Sequence, residues 1–306
     1  MSAVPQTFAF GGGQPLRRLG FGTMRLTGPG IWGDPPDRMG AVDLLRKAVA
    51  GGVQFIDTAD SYGPETSEAL VADALHPYPA DVLVATKGGF TRQGPARWAP
   101  DGRPEHLRAA CEASLRRLRL EAIPLYYFHT PDPDVPFEES VGALRELRDA
   151  GLIRNAGLSN VDAAQLRAAQ EIVPVAAVQN RHNLADRSAE VLSVCEEQGI
   201  AFVPWYPLAN GRLTAARSRA LERIAAAHAA TAAQIALAWL LHSSPVSMPI
   251  PGTANIAHMR QNLGAAEIRL SDDDVEQLNR MRPPRRLPEP VRRLAHRIVT
   301  RLPIRR

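Results

Sequence analysis

Eight short apolar runs, spaced by helix-length amphipathic stretches from one end of the chain to the other, restrict the possible architectures more than any other feature. The runs are Leu19–Thr23, Val53–Asp57, Val82–Thr86, Leu125–Phe128, Asn155–Leu158, Val175–Val178, Ile200–Val203 and Ser247–Ile250. Between them lie periodic segments such as Ala41–Ala50, Pro104–Leu118, Phe137–Ala150, Ala163–Ile172, Ser188–Gln198 and Ala232–Leu241. Helix starts are signalled by Pro104, Asp162 and Thr231, and helix ends by Gly51, Gly151 and Gly199, read as left-handed caps. Strands that are apolar throughout are buried on both faces, which implies a parallel sheet covered by helices. Eight strand–helix alternations within 306 residues leave no remainder the size of a second domain. They predict one α/β domain spanning 1–306, a (β/α)8 TIM barrel with its core at about 17–280. Before it, Thr7–Arg17 with its glycine turn predicts a β-hairpin at the barrel bottom.

Charge is distributed unevenly. The net charge is +4, but nine arginines and the single acidic residue Glu289 in 281–306 give that tail +8, leaving the other 280 residues at −4. The basicity therefore belongs to the tail and does not point to nucleic acid. Val291, Leu294, Ala295, Ile298, Val299 and Leu302 recur at helical spacing, so the tail is expected to be a basic amphipathic helix docked on the barrel or on a second subunit. Either a monomer or a homo-oligomer is compatible with this. No window reaches the roughly 18 uninterrupted apolar residues of a membrane span. Met1–Gly13 lacks the basic start and apolar run of a signal peptide, and the two cysteines, Cys111 and Cys195, form no disulfide framework. A cytoplasmic protein is expected.

Of 36 basic residues only Lys47 and Lys87 are lysine. A composition this biased should keep lysine where arginine, a wide fork that cannot readily lose its proton, will not serve. Lys47 falls at a polar helix position, whereas Lys87 ends an apolar run. In a closed barrel, functional groups collect at the C-terminal ends of strands. Those ends offer Asp57, Lys87 and His129, with Tyr62 in the loop five residues beyond Asp57. The set suits carbonyl reduction, in which a hydride acceptor becomes an alkoxide and needs a proton. Tyr62 is the candidate donor. Lys87 is expected to lower its pKa, Asp57 to hold Lys87, and His129 to orient the substrate oxygen. There is no Walker loop, Gly11–Gly13 lacks a Rossmann context, and strand one ends in Thr23-Met24 without a His-x-His pair, so no metal is expected.

The segment Gly52-Val-Gln-Phe-Ile-Asp-Thr-Ala-Asp-Ser-Tyr-Gly63, followed in order by Ala85-Thr-Lys-Gly88, Gly157-Leu-Ser-Asn160 and Ile250-Pro-Gly-Thr253, resembles the signature of the aldo-keto reductase family. The likeness runs from about Leu19 to Asn279. It implies a barrel that binds NADPH, with NADH as the alternative, in an extended form, and a catalytic tetrad of Asp57, Tyr62, Lys87 and His129 acting on a small carbonyl substrate. It also implies that Thr23 and Met24 line the cofactor, that Ser159, Asn160 and Gln179 hold the nicotinamide carboxamide, and that Trp205 stacks on the ring. Tyr206, Pro207, Leu208 and Gly211 would cover the pyrophosphate. Gly252, Thr253, Asn255, His258, Gln261 and Asn262 would meet the adenosine 2′-phosphate. Two positions commonly basic in the family are Gly252 and His258 here, so backbone amides at a helix start and Thr253 are expected to help receive the phosphate. Trp32, Phe90 and Trp98, from loops at the mouth, are expected to join Tyr62 and His129 in the substrate pocket. The stretches Met24–Gly33 and Pro204–Leu208 are similar to bacterial members that reduce pyridoxal. The rival reading within the family is a nicotinamide-binding regulatory subunit like the potassium-channel β-subunits.

Overall fold

The computed structural model describes residues 5–209 and 219–281. Seven parallel strands run in chain order around a curved sheet: β3 (Phe21–Gly22), β4 (Phe55–Asp57), β5 (Leu83–Gly88), β8 (Leu125–Phe128), β9 (Ala156–Ser159), β10 (Val175–Gln179) and β11 (Ala201–Phe202). The expected eighth strand is present as a seam and not as a full ladder. Phe202 donates to the Val246 carbonyl at 2.9 Å, Met248 donates to Phe202 at 2.8 Å, and Gly20 donates to Pro249 at 3.0 Å, which closes β11 onto β3. Pro249 has no N–H to give, so this segment pairs through fewer bonds than its apolar pattern predicts.

Strand β8 explains why the runs lack polar alternation. Leu125 and Tyr127 point into the barrel with Phe55, Ala85, Ala177, Ala201, Val203, Met248 and Ile250. Tyr126 and Phe128 face the opposite way, into the layer beneath the helices. The α-helices among the described residues are α1 (Arg38–Ala50), α2 (Thr66–Leu75), α3 (Pro104–Leu118), α4 (Phe137–Asp149), α5 (Ala163–Gln170), α6 (Ala189–Gln198), α7 (Arg219–Ala227), α8 (Ala232–Ser243), α9 (Ile256–Gly264) and α10 (Asp272–Asn279). Pro104 opens α3, and Asp162 and Thr231 each close a reciprocal capping box, with Gln165 and Gln234. Gly199 caps α6 at φ +66° and Gly151 follows α4 at φ +74°, both left-handed as expected. Gly51 does not: it sits at φ −79°, and the left-handed residue is its neighbour Gly52 at φ +97°.

The N-terminal hairpin forms from β1 (Thr7–Ala9) and β2 (Pro15–Arg17), in antiparallel register Phe8↔Leu16. Its Phe10 and Leu16 are buried in the barrel-interior cluster, and so plug the bottom. At the mouth, the expected Gly88–Arg103 loop is itself a hairpin of β6 (Phe90–Gly94) and β7 (Arg97–Pro100). The predicted helical tail lies outside the described residues apart from Met281. No single helix among the described residues is long and apolar enough to cross a membrane; α7 and α8 together would qualify by length, but they bend by 89°.

The barrel seam depends on two bare backbones in contact. A Cβ on Gly22 would stand 2.9 Å from the Ile250 carbonyl oxygen, and one on Gly252 would collide with the Gly22 carbonyl. On this backbone any side chain at 252 would require the seam to shift. Gly252→Ala should therefore lower stability by about 1–3 kcal/mol, the usual cost of overpacking. Urea unfolding checks this, and an unchanged midpoint would contradict the closed seam.

Candidate active site

Asp57 ends β4, Lys87 is the penultimate residue of β5, and His129 follows β8 directly. The parallel registers Asp57↔Ala85 and Lys87↔Tyr127 bring these three to one end of the barrel. Lys87 has no exposed surface. Its ammonium has three protons and three acceptors: Asp57 Oδ1 at 2.7 Å, the Thr58 carbonyl at 2.7 Å and the Tyr62 hydroxyl at 3.3 Å. Gln179 Nε2 donates to the other Asp57 oxygen at 2.7 Å. An ammonium can only donate, so the Tyr62 oxygen accepts from Lys87 and keeps its own proton for another acceptor. The His129 ring lies 5.9 Å from that of Tyr62, edge to face. The four residues predicted from strand ends and the loop thus converge.

Burial opposes the charge on Lys87, but Asp57 and Tyr62 outweigh it and hold the pKa above the ordinary lysine value. Burial also lifts the Asp57 carboxyl, against the pull of Lys87 and Gln179. The expected pull of Lys87 on Tyr62 is present but outweighed: burial, aided by Asp57 and Asp60, is stronger, and the net direction is up. Tyr62 is therefore a neutral, proton-bearing phenol. Burial, reinforced by Lys87, pushes His129 well below the usual imidazole value, so it is neutral as well.

Beneath this group lies a second layer that strand-end reasoning does not find. Glu68 on α2 is fully buried and accepts from Thr86 Oγ1 at 2.5 Å and Arg117 Nε at 2.6 Å. Nearby, burial and the Glu68 charge push Asp60 up to about 8, against the pull of Arg117. Its Oδ1 has no hydrogen-bond partner among the described residues. Thr23 belongs to this layer as well. It is fully buried, and its hydroxyl bonds the Asp57 carbonyl at 3.0 Å and Ser67 Oγ at 2.6 Å, so contact with a cofactor falls to its backbone or to half-buried Met24.

The remaining expected cofactor positions line the same rim. Ser159 ends β9, and Asn160, at φ +60°, follows it. The Asn160 amide donates to Ser159 Oγ at 3.1 Å and to the His129 carbonyl at 3.0 Å, and accepts from the Trp205 indole at 3.0 Å. Trp205 is half-buried and is followed by Tyr206, at φ +61°, Pro207 and Leu208; Gly211 lies outside the described residues. At the far end, Asn255 Oδ1 accepts from the amides of Ala257 and His258, and Thr253 Oγ1 accepts from that of Asn255. The two amides expected to greet a phosphate at the start of α9 are therefore already satisfied, leaving exposed His258, Arg260 and Gln261, beside buried Asn262, as side chains there. Of the expected pocket walls, Phe90 lies 4.7 Å from His129, and Trp98 lies 6.2 Å from Tyr62. Trp32 sits further out and bridges to Gly63. A cavity of about 940 Å³ lies elsewhere, lined by Arg17, Gly52, His242 and Asn279 around the hairpin end of the barrel.

Asp60 generates a test with a definite sign. Because its folded pKa is raised, the native state holds a proton that the unfolded chain releases, so wild-type stability falls as pH rises from about 4 to about 8. Asp60→Asn removes that dependence. In urea unfolding its advantage over wild type should grow from pH 5 to pH 8; a constant difference would contradict the neutral buried carboxyl.

Residues 18–283 match the sequence model of the aldo/keto reductase family. The chain is 43% identical over 269 residues to an uncharacterized oxidoreductase of Schizosaccharomyces pombe, covering 88% of this chain and 87% of that one. It is 38% identical over 275 residues to pyridoxine 4-dehydrogenase of Escherichia coli, covering 88% and 96%. Its fold superposes on an aldo/keto reductase from Klebsiella pneumoniae, crystallised with NADP and acetate, with a TM-score of 0.75 at 29% identity over 92% and 98% of the two chains. With this fold and this match over most of its length, the chain belongs to the aldo/keto reductase family.

Proposed function

We propose that this oxidoreductase reduces an aldehyde or ketone to the alcohol with NADPH, and that Tyr62 supplies the proton. The observation that carries the reading is the Lys87 ammonium, buried and fully bonded, with one of its three donors on the Tyr62 oxygen. When bound, the reduced nicotinamide provides the hydride. The residues present suit such a group: the Gln179 amide, whose nitrogen holds Asp57, lies beside Ser159 on the neighbouring strand, and the Trp205 indole is held at the rim by Asn160. A cofactor carboxamide and a flat ring are the chemistry these groups match.

As hydride reaches the carbonyl carbon, its oxygen gains negative charge and takes the Tyr62 proton. The phenolate left behind faces the Lys87 ammonium, which stabilises it more than the neutral phenol. Solvent then returns the proton. Neutral His129 can donate one hydrogen bond to the substrate oxygen without competing as an acid. Enclosing Tyr62, Lys87 and Asp57 in the barrel mouth strengthens each of these interactions.

An aromatic aldehyde such as pyridoxal is the substrate class proposed. Support comes from the Phe90 and Trp98 rings around Tyr62 and His129, and from the relative named for pyridoxine oxidation. NADPH is preferred over NADH on the Klebsiella relative and on the exposed Arg260 and His258. The buried free thiols Cys111 and Cys195 fit a cytoplasmic setting.

Tyr62→Phe should bind NADPH within about twofold of wild type while turnover of pyridoxal and other aromatic aldehydes falls by about 10²–10⁴, the range for general acid catalysis. Cofactor fluorescence and NADPH oxidation measure the two. Undiminished turnover would overturn the assignment.

A further inference from the structure

One guanidinium at the mouth has no part in the chemistry above, yet it bonds to three of the strand-end loops there. Arg92 lies on β6, in the hairpin that follows the third barrel strand. Its Nη1 donates to the carbonyl of Ser61, the residue before Tyr62, at 2.6 Å. Nη2 reaches the Gly30 carbonyl at 3.2 Å and that of Gly94 at 3.3 Å, and Nε donates to Arg97 at 3.1 Å. Ser61 is in the loop after strand two and Gly30 in the loop after strand one, so one side chain joins three successive strand-end loops. The same guanidinium sits 3.7 Å from the centre of the Trp98 ring and 5.5 Å from that of Trp32.

Trp98 is the ring that matters. It meets Tyr62 at 80° and 6.2 Å, Phe90 at 73° and 5.5 Å, and His129 at 74° and 6.5 Å. With Arg92 stacked on it, the indole is held edge-on or face-on to three other rings at once. Backbone contacts bring the loops together independently, Ala96 donating to Gly30 at 2.9 Å and Gly33 to Gly63 at 2.6 Å. Removing Arg92 therefore need not unfold the mouth, but it releases the two indoles and the Ser61 carbonyl. Only a planar fork can bond carbonyls in its plane while its face stacks on a ring.

We propose that Arg92 is a positioning residue that fixes the Trp98 wall beside Tyr62 and His129, and so determines preference for broad aromatic over short aliphatic aldehydes; the proposal rests on the reductase reading above. The loss of the fork should affect a substrate broad enough to reach the Trp98 ring far more than one that ends short of it.

The test compares wild type, Arg92→Met and Arg92→Lys, each with NADPH, on 2-naphthaldehyde and propanal. For Arg92→Met the ratio of kcat/KM values, naphthaldehyde over propanal, should drop at least tenfold, carried mainly by KM, with NADPH affinity and thermal midpoint little changed. Arg92→Lys, charged but unforked, should recover only part of that ratio. Acrylamide quenching of tryptophan emission supplies an arm independent of turnover: it should rise in Arg92→Met as Trp32 and Trp98 are freed. An active wild type whose ratio is preserved in Arg92→Met, or both rates falling equally, would overturn the proposal. A wild type inert toward both aldehydes would overturn the reductase reading, and unchanged quenching would still overturn the role given to Arg92.

Discussion

A lysine without exposed surface costs the fold several kcal/mol in desolvation unless its charge is met from all sides. Lys87 is met by a carboxylate, a backbone carbonyl and a phenol, and each comes from a different constraint of the barrel. Asp57 arrives because β4 and β5 are adjacent parallel strands in a register that puts its carboxylate beside the ammonium. The Thr58 carbonyl turns inward because its own amide is bonded across to Ala85. Tyr62 arrives because the following loop is pinned to β5, with the Asp60 amide on the Lys87 carbonyl at 3.2 Å. Loss of any one acceptor would leave a proton of the ammonium without a partner in a dry site, so the loop carrying Tyr62 and the strand carrying Lys87 are held in one arrangement.

That arrangement is supported from below. Glu68, Arg117 and Thr86 form a buried ionic layer, and the hydroxyls of Thr23, Thr58 and Ser67 bond one another under the Asp57 backbone. These bonds support the strand ends that carry Asp57 and Lys87 from the inner side. Rigid support of this kind allows a neutral phenol to act as acid without reorganisation of its surroundings.

Much of this was legible in the chain. Apolar runs marked seven strands because both faces of a barrel strand are dry, and the retained lysine marked the site because arginine dominates elsewhere. Ser247–Ile250 reads as an eighth strand by the same signal, but Pro249 limits it to a seam, an effect of backbone chemistry and not of hydropathy. The net direction of the Tyr62 shift is not legible in the chain, because Lys87 is local in the motif, whereas the burial that outweighs it comes from the whole fold. Glu68 and Arg117 carry no local signal because they lie far apart in sequence, Arg117 being 49 residues beyond Glu68. Arg92 was hidden among 34 arginines. The Gly94-Pro95 turn signal is the one local feature that marks its hairpin.

The lysine content that first singled out Lys87 also makes it directly observable. Lys47, half-exposed and paired with Asp43, is the only other lysine, so Lys47→Arg leaves a single lysine in the protein. Labelling that variant with 13Cε-lysine yields one side-chain resonance whose shift reports the charge on Nζ. If Asp57 and Tyr62 outweigh burial, the signal stays that of an ammonium as pH passes the ordinary lysine value of about 10.4. A signal that moves to the neutral amine at or below that value, in folded protein, would contradict the charge arrangement on which the site depends.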